Sequence, residues 1–326
     1  MTLTTPKIKS VTVKLKTDRP VKKTPYQVKG VLMRNFPNDG IVPMLNGSYR
    51  KKFLYPRIQV KIVDEEILLV GLHQGVDPIL AIHEKINDLN FGDITFEVLE
   101  KSVEESSEAF FFSSSLHRYR FLSNWVALNI NTSKKYNTKE DEEKLQYLND
   151  LIAKNIVFIA REMGFELAKY IYSKINVTDI NPIKLDQNGW GAFDGEFYSN
   201  IVLPSYIGIG NGITRGCGTI SGSQSNDILQ FDNKEFRLLK SESENSHFST
   251  ETGNFSSTLF EVDVSAIQKP GIRKNKKKKA HQSKKKKKSF GKAKNSQLKK
   301  EKITKQSSDE PVNYNSYEYH KKQHSI

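Results

Sequence analysis

Five glycines, Gly208, Gly210, Gly212, Gly216 and Gly218, fall within eleven residues of a 326-residue chain that has only 19. They enclose Asn211 and Arg215 in the stretch Tyr206-Ile-Gly-Ile-Gly-Asn-Gly-Ile-Thr-Arg-Gly-Cys-Gly-Thr-Ile220. Glycine is concentrated where the chain needs positive φ or a close approach of backbone. Bare N–H groups beside one guanidinium suit phosphate oxygens, so the chemistry on offer is the holding of a phosphate-rich ligand. Two nucleotide templates fail. A P-loop ends in Gly-Lys-Ser/Thr, and no lysine follows these glycines. A Gly-x-Gly-x-x-Gly fingerprint would place its third glycine at Ile213, Arg215 or Ser221. A nucleotide cofactor is therefore not expected, and none of another kind is. A glycine-rich surface turn without a ligand is the alternative.

A second group lies far upstream, where Tyr49 is followed by Arg50, Lys51 and Lys52. His73, His83 and His117 are scattered through the chain; His117 stands beside Arg118, where cations could meet phosphate. The lone cysteine, Cys217, excludes a disulfide framework and a cysteine-based zinc site. Glu140–Glu143 reads as the first turn of a helix and not as a metal site. Trp125 and Phe110–Phe112 could stack on a planar ligand, but core packing is the expected role.

These groups need elements to hold them. Residues 7–16 alternate like a strand. Residues 26–36 are apolar on one helical face, and 57–63 and 66–71 form a hairpin about Asp64-Glu65. A helix over 76–86, with Pro78 near its start, and a strand over 93–99 complete β-α-β-β-α-β, the ferredoxin-like order. The acidic, serine-rich stretch 100–108 reads as a linker. A second α+β unit follows, with a long helix capped at Thr138 and carrying Leu145, Leu148, Ile152, Ile156 and Ile159, and with strands over 168–179 and 196–203. Expected domains are 1–105, 106–222 and a mostly disordered tail over 223–326 with a weak strand at 260–264.

The net charge of +14 is local. Residues 271–305 hold 17 of the 51 lysines and arginines and one acid, leaving the rest of the chain at −2. Such a block is expected to be disordered and to attract polyanions by counterion release. Neither a signal peptide nor an apolar run of membrane-spanning length is present, so a soluble, cytoplasmic protein is expected.

Three segments carry a resemblance. Tyr55-Pro-Arg-Ile-Gln59-Val-Lys61, the pair Val70-Gly71 and Gly75-Val76, and Tyr119-Arg-Phe-Leu-Ser-Asn-Trp125-Val-Ala-Leu128-Asn129 precede the glycine loop in this order. The chain thereby resembles the CRISPR-associated endoribonucleases that process precursor guide RNA, the sixth Cas protein, in the branch with Tyr-Pro-x-x-Gln-x-Lys and Trp-x-x-Leu-Asn segments. The resemblance covers residues 7–220. It implies two ferredoxin-like domains in tandem that bind CRISPR repeat RNA, with other Cas proteins as further partners. It also implies metal-free cleavage by attack of a ribose 2′-OH, leaving 5′-hydroxyl and 2′,3′-cyclic or 3′-phosphate ends. On the residues that match, Gly208–Gly218 with Asn211 and Arg215 would hold the RNA backbone, aided by Arg50, Lys51, His117 and Arg118. Members of this branch carry histidine in the loop before the Tyr-Pro strand, whereas residues 43–49 here have none. Tyr49, whose phenolate the neighbouring cations would favour, is the substitute base, with Lys52 and Arg34 as its neighbours. A repeat-RNA binder that does not cut, and a protein-interaction module with an inert tail, are the alternatives.

Overall fold

The computed structural model describes residues 7–185, 190–222, 228–230, 255–257 and 259–267. The first unit begins with β1 (Ser10–Thr17), α1 (Pro25–Asn35) and the single turn α2 (Val42–Leu45). The hairpin β2 (Ile58–Val63) and β3 (Glu66–Leu72), then α3 (Val76–Ile82), β4 (Asp88–Asn90) and β5 (Thr95–Ser106), follow. The strands pair antiparallel in the order β2-β3-β1-β5-β4, the ferredoxin-like order with one short strand added at the edge. Thr24 starts α1 with a capping box to Gln27 and Pro25 in the first turn. Asp64 and Glu65 turn the hairpin with φ of 50° and 63°, the left-handed pair that matches strand twist. The apolar face of the sheet, Val11, Val13, Leu15, Val60, Ile67 and Leu69, packs on Val28, Val31 and Leu32 of α1 and on Val76, Ile79 and Ile82 of α3.

The stretch expected as a linker is mostly strand. β5 runs on to Ser106, opposite Ser10 of β1. Its glutamates are tolerated because β1 sets lysines across from them: Lys14 lies 3.4 Å from Glu104, and Lys16 lies 3.7 Å from Glu100.

The second unit contains β6 (Phe111–Phe121), β7 (Trp125–Leu128), α4 (Ile130–Tyr136) and α5 (Asp141–Glu162), then β8 (Tyr170–Val177), β9 (Ile183–Lys184), β10 (Gly191–Phe193), β11 (Gly195–Val202) and β12 (Ile220–Gly222). Further along come β13 (Ile228–Gln230), β14 (Phe255–Ser256) and β15 (Phe260–Asp263), the last being the weak strand expected there. The main sheet is ordered β12-β6-β11-β8, again ferredoxin-like, with β13 beside β6 and both β14 and β15 beside β8. β7, β10 and β9 form a separate three-stranded sheet. No α-helix joins β11 to β12, only a single 3-10 turn at Ile213–Arg215; the glycine-rich stretch stands where the second helix of the fold would be. α5 buries Leu145, Leu148, Ile152, Ile156 and Ile159, as its spacing requires. Its cap is Glu140 and not Thr138, whose hydroxyl donates instead to the Lys135 carbonyl. Phe110 and Trp125 are core residues, and Phe121 stacks on Trp125 with centroids 5.5 Å apart. The Lys-rich segment 271–305 lies outside the described residues.

Candidate nucleic-acid interface

β2 alternates in an unusual sense. Ile58 and Val60 face the first core, while Arg57, Gln59 and Lys61 point the other way and are buried too. What buries them is the second unit. Tyr55 Oη donates to the Gly208 carbonyl at 2.7 Å, and the Gly208 amide donates to Gln59 Oε1 at 2.8 Å. Lys61 Nζ donates to the Ile213 carbonyl at 3.4 Å. Three side chains from the hairpin region thus hold the backbone of the glycine loop. Burial keeps Tyr55 protonated by raising its phenol, and pulls the Lys61 amine down to about 7, with nearby Cys217 opposing the shift. Arg57 closes the junction from the same face, donating to Gln74 Oε1 at 2.9 Å and to the Glu162 carbonyl at the end of α5. The Glu162 carboxylate in turn accepts the amides of Leu54 and Tyr55, at 3.0 and 3.3 Å.

The glycines serve this docking. Gly218, at φ 62°, comes so close to Ile209 that a Cβ would stand 2.0 Å from its carbonyl oxygen. Gly216, at φ 92°, lies against Pro25 of α1. Asn211 is turned inward, its backbone and side-chain nitrogens both donating to the Val126 carbonyl, at 2.9 and 3.0 Å. Arg215 stands exposed at the tip, its guanidinium 4.8 Å from the centre of the Trp190 ring.

The Tyr49 cluster sits after α2 and packs on itself. Tyr49 meets Phe53 edge-on at 6.0 Å, and Lys52 Nζ lies 5.3 Å from the Tyr49 ring and 5.2 Å from the Phe53 ring. α1 links this cluster to the loop: Pro25 touches Gly216, while Lys29, one turn on and on the same face, feels the charge of Arg50. Burial first, and Arg50 second, lower the Lys29 amine. Sequence reasoning passed over Lys29, which looked like an ordinary helical lysine. Gln59 and Lys61 also join the site, although in the sequence they alternate with Val60 as solvent-facing residues would.

Other expected residues lie elsewhere. Arg34 is five positions, about 140° around the helix, from Lys29, and donates to the Asn90 carbonyl of β4 at 2.8 Å. Arg118 is committed to Glu196, Nε to Oε2 at 2.7 Å, on the main sheet of the second unit. His117 is its neighbour on β6, opposite Ser199, and burial lowers its ring. His83 Nδ1 donates to the Leu80 carbonyl at 2.8 Å, and His73 takes a left-handed φ of 52° at the end of β3. Among the described residues no group of three or more His, Cys, Asp or Glu is placed to hold a metal, and no helix is long and apolar enough to cross a membrane.

Comparison with known proteins meets this geometry. A family model described as the Cas6b N-terminal domain matches residues 6–109, and another described as the Cas6b C-terminal domain matches residues 111–223. An uncharacterized protein of Methanocaldococcus jannaschii is 24% identical over 135 residues, 41% of this chain and 92% of its own. A crystal structure of Cas6b superposes with a TM-score of 0.53 at 22% identity, covering 66% of this chain and 99% of that one. A second solved structure, of a CRISPR RNA processing endoribonuclease Cas6b, gives 0.47 at 24% identity, over 66% of this chain and 100% of that one.

Proposed function

The chain belongs to the Cas6b family of CRISPR RNA endoribonucleases, and from that premise we propose that it cuts repeat RNA without a metal, by attack of a ribose 2′-oxygen on the adjoining phosphorus. In that step the O2′–P bond forms and the P–O5′ bond breaks. The 2′ proton passes to a base on the protein, and the departing 5′-oxygen takes a proton to become a 5′-hydroxyl, leaving a 2′,3′-cyclic phosphate. The groups that would accept the proton are Tyr49 as its phenolate, or Lys29 as the neutral amine that burial favours. Arg50, Lys51 and Lys52 would stabilise the charge that builds on the phosphoryl oxygens. The glycine loop with Arg215 would hold the backbone away from the cut, and Asn211 would shape that loop without touching RNA. Arg34, His117 and Arg118 fall outside this arrangement.

The observation that carries the reading is the shared face of α1, where Pro25 lies against Gly216 and Lys29, one turn on, is lowered by burial first and by the charge of Arg50 second. It lets one stretch of RNA meet both groups. A second reading, a binder that holds repeat RNA uncut, is favoured by one fact: residues 43–49 contain no histidine. Labelled repeat RNA incubated with the protein in EDTA separates the two. The expected result is one discrete cut, lost when the nucleotide at that position is 2′-deoxy. A gel shift with intact RNA would establish the binder, and cutting only after magnesium is restored would overturn the metal-free chemistry.

A further inference from the structure

Arg215 and Trp190 come from different parts of the second unit, the tip of the glycine loop and the residue before β10. Each is fixed from behind. The Arg215 amide donates to the Gly212 carbonyl at 2.8 Å, between glycines at positions 212 and 216 that are both left-handed. The Trp190 carbonyl accepts from the Leu185 amide at 3.3 Å, and Gly191 after it pairs with Leu128 and Lys184. The guanidinium carbon lies 4.8 Å from the indole centroid, Arg215 is exposed, and among the described residues no carboxylate pairs with it.

A guanidinium is planar and delocalised, with two stacking faces and its N–H donors in the plane between them. With the guanidinium carbon 4.8 Å from the indole centroid and the residue exposed, the indole can cover one face and leave the other to solvent. A cation set against an aromatic ring, exposed and with no carboxylate on its N–H donors among the described residues, matches a π surface joined to an anion. An unpaired nucleotide is such a ligand: its base stacks on the outer face while the in-plane N–H groups reach its phosphate. Paired RNA keeps its bases inside the helix and offers only phosphate. Resting on the RNA reading above, we propose that Arg215 backed by Trp190 is a stacking step that takes one unpaired nucleotide of the substrate, so that the loop selects single-stranded RNA.

The test uses the full chain and two probes, a single-stranded repeat oligonucleotide and its fully paired duplex. Trp190→Ala and Arg215→Lys are each expected to weaken single-strand binding about tenfold or more while changing duplex binding much less. Trp190→Phe, which keeps a ring, is expected to recover most of the loss. Fluorescence gives a direct readout, because Trp125 is sealed in the core: single-stranded RNA should quench emission from the wild type, and the quench should vanish in Trp190→Phe. Equal losses on both probes, or single-strand affinity untouched in Trp190→Ala and Arg215→Lys, would overturn the stacking step. If the wild type cuts repeat RNA yet these variants bind as it does, the stacking step alone falls. If the wild type retains neither probe at low salt, the RNA reading falls with it.

Discussion

The Tyr55 hydroxyl and the Lys61 amine are polar groups buried where two units meet, and each has a measurable consequence. Tyr55→Phe removes the donor to the Gly208 carbonyl and is expected to cost about 1–2 kcal/mol in urea denaturation, with weaker retention of RNA; an unchanged midpoint would show that the hydrogen bond is idle. Lys61 has an ordinary value of 10.5 and a folded value of about 7. Across that window the unfolded chain holds a proton that the folded chain has shed, so stability rises with pH. Wild type should therefore gain on Lys61→Met as the pH is taken from 7 to 9. A constant difference between the two proteins would refute the burial-driven shift. Neither role could be read from the strand pattern alone, since Gln59 and Lys61 alternate with Val60 as solvent-facing residues would. Their burial depends on a loop about 150 residues away.

At the scale of elements, the pattern of apolar residues sufficed for α1, β2, β3 and α5, whose periods are set by one buried face each. It failed where partners outside the window decided the outcome. Residues 100–106 look like a linker because they are acidic and polar, yet Lys14 and Lys16 across the ladder make them a strand. Thr138 looks like a cap, but the helix starts two residues later. The glycine cluster is visible in the sequence as a tight loop, whereas its stand-in role for a helix is not, because nothing in those residues names the strand they pack on. The conformational demands on glycine differ in a way that can be measured. Gly218→Ala would drive a Cβ into the Ile209 carbonyl at a positive φ, and is expected to destabilise the protein by about 2–3 kcal/mol. Gly30→Ala, in the middle of α1 with nothing within 4 Å of the new methyl, is expected to stabilise it by about 0.5–1 kcal/mol. Thermal unfolding of the two variants should move in opposite directions, and a shared direction would contradict the contrast.

For the molecule as a whole, charge and shape are divided along the chain. The body is close to neutral and supplies placement, while residues 271–305 supply 17 positive charges with one acid among them. Deleting 271–326 is expected to flatten the salt dependence of RNA binding without moving the cut site. On a single strand the log–log slope should fall by about 0.7 for each phosphate that the lysines no longer neutralise. A truncated chain with an unaltered slope would mean that the lysines never engage RNA. The attachment of the glycine loop to β2 bears on any exchange of parts with a relative. Acceptor and donor lie in separate domains, so the two halves form a matched set. A chimera that imports the loop from a relative without its strand inherits an amide and two carbonyls cut to fit someone else's neighbours. Swapping specificity between family members would then mean transplanting both pieces together.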